Sequence, residues 1–370
     1  MQQLRVIISG GGTGGHIFPA IAIANAIKKQ VPQAEFLFVG AEGKMEMEKV
    51  PAAGYSIEGL KIAGLQRKLT VKNLSFPFKL IGSLIKAKKI LKSFKPHIAI
   101  GVGGYASGPM LQVAAGKGIP TLIQEQNSFP GITNRLLAKK VDKICVAYDG
   151  LEKFFPKEKI IMTGNPVRQE VVNLEGKKPR GVEYFGIDPN KPTLLIVGGS
   201  LGARTINESV KASIDKLKSS GFQVLWQTGK LYKDEAKAAT EGIEQIKAHE
   251  FITKMDLAYA VADVVISRAG AIAVSELCLV RKPVIMVPSP NVAEDHQTKN
   301  ALALVNHGAA VLVKDSEARE KLIDEAIALM NDAEKQEKLI MNIAKLGLEN
   351  AADTIASIAI NMATKSEKRA

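Results

Sequence analysis

Three glycine-rich clusters contain the residues of this 370-residue chain whose type and spacing suit the binding of an anion. They are Gly10-Gly11-Gly12-Thr13-Gly14-Gly15, Gly101-Val102-Gly103-Gly104 and Gly198-Gly199-Ser200-Leu201-Gly202-Ala203. Each cluster follows a strand-like run. Glycine lets the backbone approach a ligand closely, and free N–H groups at the start of a helix attract negative charge. The clusters therefore predict that backbone amides bind phosphate or another anion.

The first cluster also matches the G-x-G-x-x-G fingerprint of dinucleotide-binding enzymes, at Gly10, Gly12 and Gly15. That fingerprint requires an acidic residue about 20 positions further on, at the end of the second strand, to bind a ribose. Glu35 lies at the start of that strand and Glu42 lies beyond its end, so neither fits well. A nicotinamide-dependent oxidoreductase is therefore a remote alternative.

The third cluster matches G-x-S-x-G over residues 198–202, which is the pattern of a hydrolase nucleophile elbow. Asp263 with His296 or His307 could complete a triad in that chain order. A hydrolase would leave the other two glycine clusters unexplained. We favour the alternative in which the Ser200 hydroxyl and the amides around it bind phosphate oxygens.

His16 is the histidine best placed for catalysis, because it follows Gly15 at the start of a helix predicted from Ile17. The helix dipole disfavours the imidazolium form there, which biases His16 towards a neutral base. Three other histidines are expected to be structural or solvated: His97, His249 and His307.

No D-x-D, H-E-x-x-H or close cluster of carboxylates suggests a metal site. A bound diphosphate would then be neutralised by helix N-termini and by basic side chains such as Arg168. We expect no metal and no other cofactor.

Short apolar runs alternate with helical stretches along almost the whole chain, which predicts an α/β fold with parallel sheets covered by helices on both faces. The predicted strands of a first unit are Leu4–Ser9, Glu35–Val39, His97–Val102, Thr121–Gln124 and Lys143–Ala147. Those of a second are Thr193–Val197, Gln223–Gln227, Val264–Ser267, Val284–Val287 and Ala310–Val313. Helical stretches include Ile17–Lys29, Leu80–Phe94, Thr205–Lys218 and Ile272–Cys278.

The alternation restarts after a polar stretch, which predicts two doubly wound domains over residues 1–164 and 165–349. The segment 350–370 is helical in pattern and is expected to pack back on the first domain. Ligands of doubly wound sheets bind beyond the carboxyl ends of the strands. With two such domains facing each other, the expected site is the cleft between them.

Composition excludes several classes of protein. No apolar run approaches the roughly 18 to 20 residues that span a bilayer, and the N-terminus lacks the parts of a signal peptide. Cys145 and Cys278 are the two cysteines, far apart and in apolar segments, which excludes a disulfide framework and indicates a reducing cytoplasm. The net charge of +13 is concentrated between Gly59 and Gln124, where eleven Lys and Arg occur without any Asp or Glu. Such a field indicates an anionic partner.

The helical stretch within this basic segment carries two kinds of apolar residue. At about 100° per residue, Leu80, Leu84, Ala87, Leu91 and Phe94 form an ordinary core stripe. Off that stripe lie Ile81 and Ile85, beside Lys88, Lys89 and Lys92, and Phe76 and Phe78 come just before. Apolar residues ringed by lysine suit a protein that rests on an anionic membrane. The alternatives are a solvated basic helix and a nucleic-acid binder, and the second lacks a recognition motif.

Taken together, the motifs resemble one family closely, the bacterial cell-wall N-acetylglucosaminyltransferases (MurG-type) that convert lipid I to lipid II. The matching segments run in order from about residue 5 to about residue 350. They are residues 11–19, 103–109, 125–127, 164–168, 198–204, 267–271 with Ser275-Glu276, and 296–301. Each motif alone is weak, whereas the combination is specific.

The resemblance implies a GT-B fold of two Rossmann-like domains, with the acceptor on the first and UDP-N-acetylglucosamine on the second. It implies inverting transfer to the 4-hydroxyl of the N-acetylmuramoyl group of lipid I. A relative that acts on diacylglycerol is the nearest alternative.

The resemblance also assigns residues. Ser200, Gly199, Gly202 and Ala203 would hold the donor diphosphate with Arg168, Ile252 the uracil, Glu276 the ribose, and Asn127 and Gln297 the sugar. Thr13, Gly14 and Gly15 would line the acceptor side, with His16 as candidate base and Glu125 as the fallback. Some members have two adjacent glutamines where this chain has His296-Gln297, which leaves the role of His296 open.

The expected partners are UDP-N-acetylglucosamine, lipid I, an anionic membrane surface, and proteins of cell-wall synthesis and division, without nucleic acid. The expected location is the cytoplasmic face of the cell membrane, with peripheral attachment.

Overall fold

The chain forms two compact units, Met1–Val167 with Glu349–Ala370, and Arg168–Leu348. The computed structural model describes residues 3–62, 76–199 and 201–367. The sequence pattern predicts the two divisions at residues 164 and 349. Each unit is built around one parallel sheet.

The first unit contains a seven-stranded sheet with helices on both faces. Its strands are β1 (Arg5–Ser9), β2 (Glu35–Ala41), β3 (Ser56–Leu60), β4 (Ile98–Gly101), β5 (Thr121–Glu125), β6 (Lys143–Val146) and β7 (Ile160–Met162). Its described helices before Val167 are α1 (Gly14–Gln30), α2 (Glu46–Ala52), α3 (Phe76–Phe94), α4 (Ser107–Gly116) and α5 (Ile132–Leu137). The strand order is β3-β2-β1-β4-β5-β6-β7.

The second unit contains a six-stranded sheet in the order β10-β9-β8-β11-β12-β13. The strands are β8 (Thr193–Val197), β9 (Gln223–Gln227), β10 (Ile246–His249), β11 (Val264–Ser267), β12 (Val284–Met286) and β13 (Val311–Leu312). The helices from α6 to α10 are Gln169–Val172, Lys178–Phe185, Arg204–Ala212, Ile214–Ser219 and Lys233–Ala239. Those from α11 to α15 are Met255–Val261, Ala271–Val280, His296–Val305, Ala318–Met330 and Ala333–Ala344.

Alternate residues of the first sheet point into two different apolar cores. Val6 and Ile8 of β1 pack in a core with α1, whereas Ile7 packs with α3, α4 and α5 on the other face. Because both faces are covered, the central strands contain continuous apolar runs, such as Leu194–Val197 in β8 and Val264–Ile266 in β11. This is why β8, β9 and β11 begin and end where the sequence predicts.

The last described helix, α16 (Ala351–Glu367), packs on the first unit. Its Ile355 and Ala359 belong to the same core as Ile27 of α1. At the surface, Nε2 of Gln30 donates to the carbonyl oxygen of Asp353 at 3.1 Å. The helix therefore completes the layer that α1 begins.

The structure corrects two features of the predicted pattern. Strands β3, β7 and β10, which sequence analysis does not predict, are edge strands, and edges tolerate short, polar segments such as Ile246–His249. The helix predicted over Thr205–Lys218 is two helices, α8 and α9, because Ser213 leaves helical geometry at φ −117°. Within the described ranges, no helix has the length and apolar character needed to cross a bilayer.

Candidate functional site

The loops after β1 and β4 meet at the switch point of the first sheet, because these neighbouring strands lead into helices on opposite sides. Gly103 and Gly104 have φ values of 90° and 83°, which side chains rarely adopt. A Cβ on Gly104 would overlap the backbone of Gly11 in the first loop. Glycine is therefore required where the two loops touch.

The first loop ends in α1, which begins at Gly14 and not at Ile17 as the sequence pattern predicts. Thr13 is the N-cap, and its carbonyl oxygen accepts the N–H groups of His16 and Ile17, each at 3.1 Å. Gly14 and Gly15 are thus the first helical residues. His16 lies in the first turn of α1, close to the positive end of the helix dipole.

The ring of His16 is held by its own loop. Its Nδ1 lies 3.0 Å from the carbonyl oxygen of Gly11, with the Thr13 hydroxyl at 3.5 Å. A carbonyl oxygen only accepts, so Nδ1 donates, and the neutral ring then presents Nε2 as its proton acceptor. The Nε2 atom faces Gly103, where an added Cβ would come within 2.8 Å of it. The geometry fits a base whose tautomer is set by the loop.

A buried carboxylate is hydrogen-bonded to this loop. Glu46, the first residue of α2, is 1% exposed. Its Oε2 accepts the N–H of Gly12 at 2.8 Å, and its Oε1 accepts the N–H of Ala41 at 2.9 Å. The carboxylate therefore joins the first loop to the end of β2.

Glu125, at the end of β5, is 2% exposed, and its carboxylate is hydrogen-bonded to the segment that follows it. Its Oε1 accepts the backbone N–H of Asn127 at 3.0 Å and the side-chain Nδ2 of the same residue at 3.2 Å. Its Oε2 accepts from the N–H of Gly131 at 3.1 Å and from Nδ2 of Asn134 at 2.9 Å. A carboxylate with four such donors is suited to positioning Asn127.

The glycine loop after β8 forms one wall of a cavity of about 430 Å³ in the second unit, a volume ordinary for a small-molecule site. Gly199, Gly202 and Ala203 line it, together with Gly270 from the loop after β11 and Gln297 from α13. Strands β8 and β11 are neighbours, so the cavity lies at the switch point of the second sheet. Ser200 lies outside the described residues.

The N-terminus of α8 (Arg204–Ala212) opens on this cavity, since its cap Ala203 and its first residue Arg204 line the wall. Free N–H groups at that end favour an anion. Gly199 and Gly202 have φ values of 89° and 82°, so the loop has a backbone conformation that glycine permits. The wall can therefore hold phosphate through peptide amides.

An ion pair between Arg268 and Asp315 also lines the cavity. The Arg268 guanidinium is hydrogen-bonded to the Asp315 carboxylate, and it also donates to the carbonyl oxygen of Val287 at 2.9 Å. Oδ2 of Asp315 accepts from the hydroxyl of Thr205 at 2.9 Å. Side-chain exposures of 14% and 18% for Arg268 and Asp315 mean that the pair is largely shielded from solvent.

Gln297 is oriented by the backbone. The N–H of Ser289 donates to its Oε1 at 2.9 Å. The Nε2 end of the amide is therefore the donor end available for a ligand in the cavity.

Glu276 is held between a phenol and a guanidinium. Its Oε2 accepts from the hydroxyl of Tyr259 at 3.5 Å, and its Oε1 lies 3.9 Å from Nη2 of Arg168. Burial, reinforced by the charge of Glu276, raises the pKa of Tyr259 well above its usual value, so the phenol stays a neutral donor. Glu276 lies one helical turn beyond Ala273, which lines the cavity.

The backbone of Ile252 is occupied on its donor side. Its N–H donates to Oε1 of Gln227 at 2.9 Å, and both residues are buried. The carbonyl of Ile252 is therefore the group through which this peptide could meet a nucleobase.

The structure thus brings the predicted residues together in groups. Within the first unit, Thr13, Gly14, Gly15 and His16 lie at one switch point. In the second unit, Gly199, Gly202, Ala203 and Gln297 share a cavity, and Arg168 contacts Glu276. Sequence reasoning missed Glu46, Asp315 and Gln227. Glu42 and Glu48 flank Glu46 in the sequence, and no spacing distinguishes the buried acid from its exposed neighbours.

The basic helix α3 has two faces, as its pattern predicts. Ala87 and Leu91 are buried in the core, and Leu80, Leu84 and Phe94 pack partly against it. On the outside, Phe78, Ile81 and Ile85 are 78%, 55% and 52% exposed. Lys88, Lys89 and Lys92 are exposed as well, and the side chain of Phe76 lies outside the described residues.

In the part of the chain that the structure describes, no three His, Cys, Asp or Glu side chains are grouped so as to hold a metal. Cys145 and Cys278 are free and buried, and burial raises the pKa of each thiol to about 12.

Comparison with known families matches both units. Residues 6–146 match the glycosyltransferase family 28 N-terminal domain, and residues 193–357 match its C-terminal domain. The chain is 59% identical, over 99% of its own length and 98% of the relative's, to the UDP-N-acetylglucosamine--N-acetylmuramyl-(pentapeptide) pyrophosphoryl-undecaprenol N-acetylglucosamine transferase of Phocaeicola vulgatus. It is 56% identical to the protein of the same name from Flavobacterium psychrophilum, over 98% of each chain.

Solved structures show the same architecture. The crystal structure of Acinetobacter baumannii MurG superposes with a TM-score of 0.80 at 27% identity, covering 97% of this chain and 99% of that one. The calicheamicin glycosyltransferase CalG4 superposes with a TM-score of 0.71 at 15% identity, over the whole of both chains, which shows the fold alone. The GT-B fold class predicted from sequence is confirmed.

Proposed function

The chain belongs to glycosyltransferase family 28, among the transferases that add N-acetylglucosamine to undecaprenol-linked N-acetylmuramyl-pentapeptide, and from this membership we propose how its residues perform that reaction. It is a hexosyltransferase that uses UDP-N-acetylglucosamine and converts lipid I to lipid II in peptidoglycan synthesis. The oxidoreductase and hydrolase alternatives are wrong.

We propose that the donor occupies the cavity of the second unit. Amides of the loop containing Gly199 and Gly202 and the N-terminus of α8 bind the diphosphate, with Ser200 contributing its hydroxyl. Arg168 adds positive charge beside Glu276, which accepts from the ribose hydroxyls. These donors stabilise the charge that develops on the UDP leaving group.

The remaining parts of the donor meet groups that the structure orients. The carbonyl of Ile252 accepts from the uracil ring, since its N–H is bonded to Gln227. Gln297 donates from Nε2 to the sugar. Asn127 of the first unit, which is hydrogen-bonded to Glu125, is the further residue that recognises the sugar.

His16 acts as the base in this proposal. Its Nε2 takes the proton of the acceptor 4-hydroxyl as that oxygen attacks the anomeric carbon, and the bond to UDP breaks on the opposite face. Such a displacement inverts the configuration at the anomeric carbon. Thr13, Gly14 and Gly15 line the acceptor side of the loop.

The exposed face of α3 is proposed to rest on the cytoplasmic face of an anionic membrane. Three exposed apolar side chains lie beside a lysine cluster, and each lysine near such a surface contributes about 1 kcal/mol. Peripheral attachment of this kind would bring the lipid-linked acceptor to the first unit. Proteins of cell-wall synthesis and division are the proposed macromolecular partners.

The observation that carries the site assignment is the cavity at the second switch point, lined by a glycine loop and a helix N-terminus inside a family 28 C-terminal domain. The test is transfer of radiolabel from UDP-N-acetylglucosamine, in chelator, to a lipid I analogue or to diacylglycerol. Labelling of the lipid I analogue alone is expected. Labelling of diacylglycerol alone would contradict the acceptor, and loss of activity in chelator would contradict metal-free binding of the diphosphate.

A further inference from the structure

We propose that Glu46 is a positioning residue for His16, acting through the peptide group between Gly11 and Gly12. The inference rests on the proposed role of His16 as base and extends it to a residue outside the three glycine clusters. Glu46 is almost completely buried, although acidic residues at the start of a short helix are usually solvated.

The two side chains bind the same peptide group from opposite sides. The N–H of Gly12 donates to Oε2 of Glu46 at 2.8 Å. The carbonyl oxygen of Gly11, in the same peptide, accepts from Nδ1 of His16 at 3.0 Å. The described part of the chain has no cis peptide, and in a trans peptide the N–H and C=O point in opposite directions. Carboxylate, peptide and imidazole therefore form one continuous row of hydrogen bonds.

The second oxygen of Glu46 anchors this row to the sheet. Oε1 accepts the N–H of Ala41, the last residue of β2, at 2.9 Å. Ala41 is itself paired with Leu60 of β3. The carboxylate thus fixes the position of the first loop relative to the end of β2.

The surrounding glycines make room for the carboxylate. A Cβ on Gly11 would overlap the carboxyl group of Glu46, and a Cβ on Gly40 would lie 2.5 Å from its Cγ. Gly11 also has a φ of 143°. Two glycines of the region are therefore explained by Glu46 and not by a ligand.

The physical effect on His16 follows from polarisation. A carboxylate that accepts the peptide N–H makes the carbonyl at the other end a stronger acceptor, because hydrogen bonds in a chain reinforce one another. A stronger acceptor holds the proton on Nδ1 and leaves Nε2 free of it. Carboxylates that orient a histidine directly have the same effect in other enzymes.

The tautomer of His16 is the first test, because a merely structural carboxylate would not change it. Protein labelled with ¹⁵N-histidine is compared by NMR with the Glu46→Gln variant, and His16→Ala identifies the His16 signals. Glu48→Gln is the matched control, since Glu48 lies on the same helix with a side chain 78% exposed. We expect His16 to carry its proton on Nδ1 in the wild type and the control, and a mixture of tautomers in Glu46→Gln.

Steady-state kinetics is the second test. The glutamine side chain has one acceptor oxygen where Glu46 has two, for the N–H groups of Gly12 and Ala41. One of these two hydrogen bonds is therefore lost. We expect kcat to fall about 10- to 100-fold, the range typical when a supporting partner of a functional group is removed, with the KM for UDP-N-acetylglucosamine within about twofold. Thermal unfolding confirms that the variant is folded.

The outcomes separate this proposal from the one on which it rests. A wild-type His16 protonated on Nε2 overturns it, and so does a folded Glu46→Gln with an unchanged tautomer. A changed tautomer with unchanged kcat upholds the positioning and contradicts the role of His16 as base.

Discussion

The carboxylate of Glu46 and the imidazole of His16 are bonded to the two ends of a single peptide group, at 2.8 Å and 3.0 Å. A residue 30 positions away in sequence therefore orients the ring that faces Gly103. The glycine loop that matches a dinucleotide-binding fingerprint therefore holds the ring of His16 through the Gly11 carbonyl oxygen.

We expect His16→Ala to lower kcat by about 100-fold or more, the usual contribution of a general base. Donor affinity should not change, because the donor cavity is lined by residues of the second unit. Turnover and calorimetry with UDP-N-acetylglucosamine check both parts. His307→Ala, at an exposed histidine bonded to the Ala303 carbonyl, is the control. Normal turnover of His16→Ala would make Glu125 or a water the better candidate for the base.

Gly103→Ala should reduce kcat through contact with His16. Its Cβ would lie 2.8 Å from Nε2 and displace the ring. Gly150→Ala provides a control for backbone strain, since Gly150 has a φ of 78° and open space around its Cβ. Both variants should lose about 1–3 kcal/mol of stability, measured by denaturant unfolding, and only Gly103→Ala should lose kcat. Equal kinetic losses would indicate strain alone.

Arg168→Ala should weaken donor binding. A charged hydrogen bond to phosphate is typically worth about 1.5–3 kcal/mol, or about 10- to 100-fold in affinity. Calorimetry with UDP measures the loss, and Arg180→Ala, at an exposed arginine of the same unit, should bind UDP normally. An unchanged affinity in Arg168→Ala would remove this residue from the diphosphate site.

Ile81→Glu combined with Ile85→Glu should abolish sedimentation with anionic vesicles while leaving transfer to a soluble lipid I analogue intact. The substitution replaces exposed apolar contact with charges that the anionic surface repels. Leu231→Glu, at a residue 84% exposed in the second unit, should sediment as the wild type does. Equal binding of the wild-type protein to zwitterionic and anionic vesicles, at every salt concentration, would contradict the proposed contact of α3 with an anionic membrane.

Stability should fall as the pH is lowered below about 6.5, the usual pKa of histidine, in part because of His249. Burial, with a smaller effect from Lys247, lowers the pKa of His249 in the folded state. The unfolded chain then takes up the proton first, so acid favours unfolding and this contribution is absent above that pH. Unfolding of wild type and His249→Gln at pH 7.5 and 5.5 measures it. The variant should lose less stability on acidification, and an equal loss would exclude His249.

Much of the architecture is readable from local pattern. The central strands are buried on both faces, so their continuous apolar runs can be recognised in the sequence. The glycine clusters after β1, β4 and β8 mark the carboxyl ends of strands, where ligands of such sheets usually bind. Edge strands such as β3 and β10 escape this reasoning, because half-exposed segments accept polar residues.

The supporting side chains are not readable in this way. Arg268 and Asp315 are 47 positions apart, and only the adjacency of the loop after β11 to the segment after β13 makes them a pair. Gln227 and Ile252 meet because β9 and β10 end side by side.

The amino-acid sequence alone determined the two parallel α/β units, the family and the glycine loops, because these depend on short-range periodicity and on backbone freedom at single residues. Tertiary structure decided which acid is buried, which nitrogen of His16 faces the Gly11 carbonyl oxygen and which side chain binds the backbone N–H of Ile252. Burial and hydrogen-bond partners come from segments far apart in the chain, and no local pattern records them.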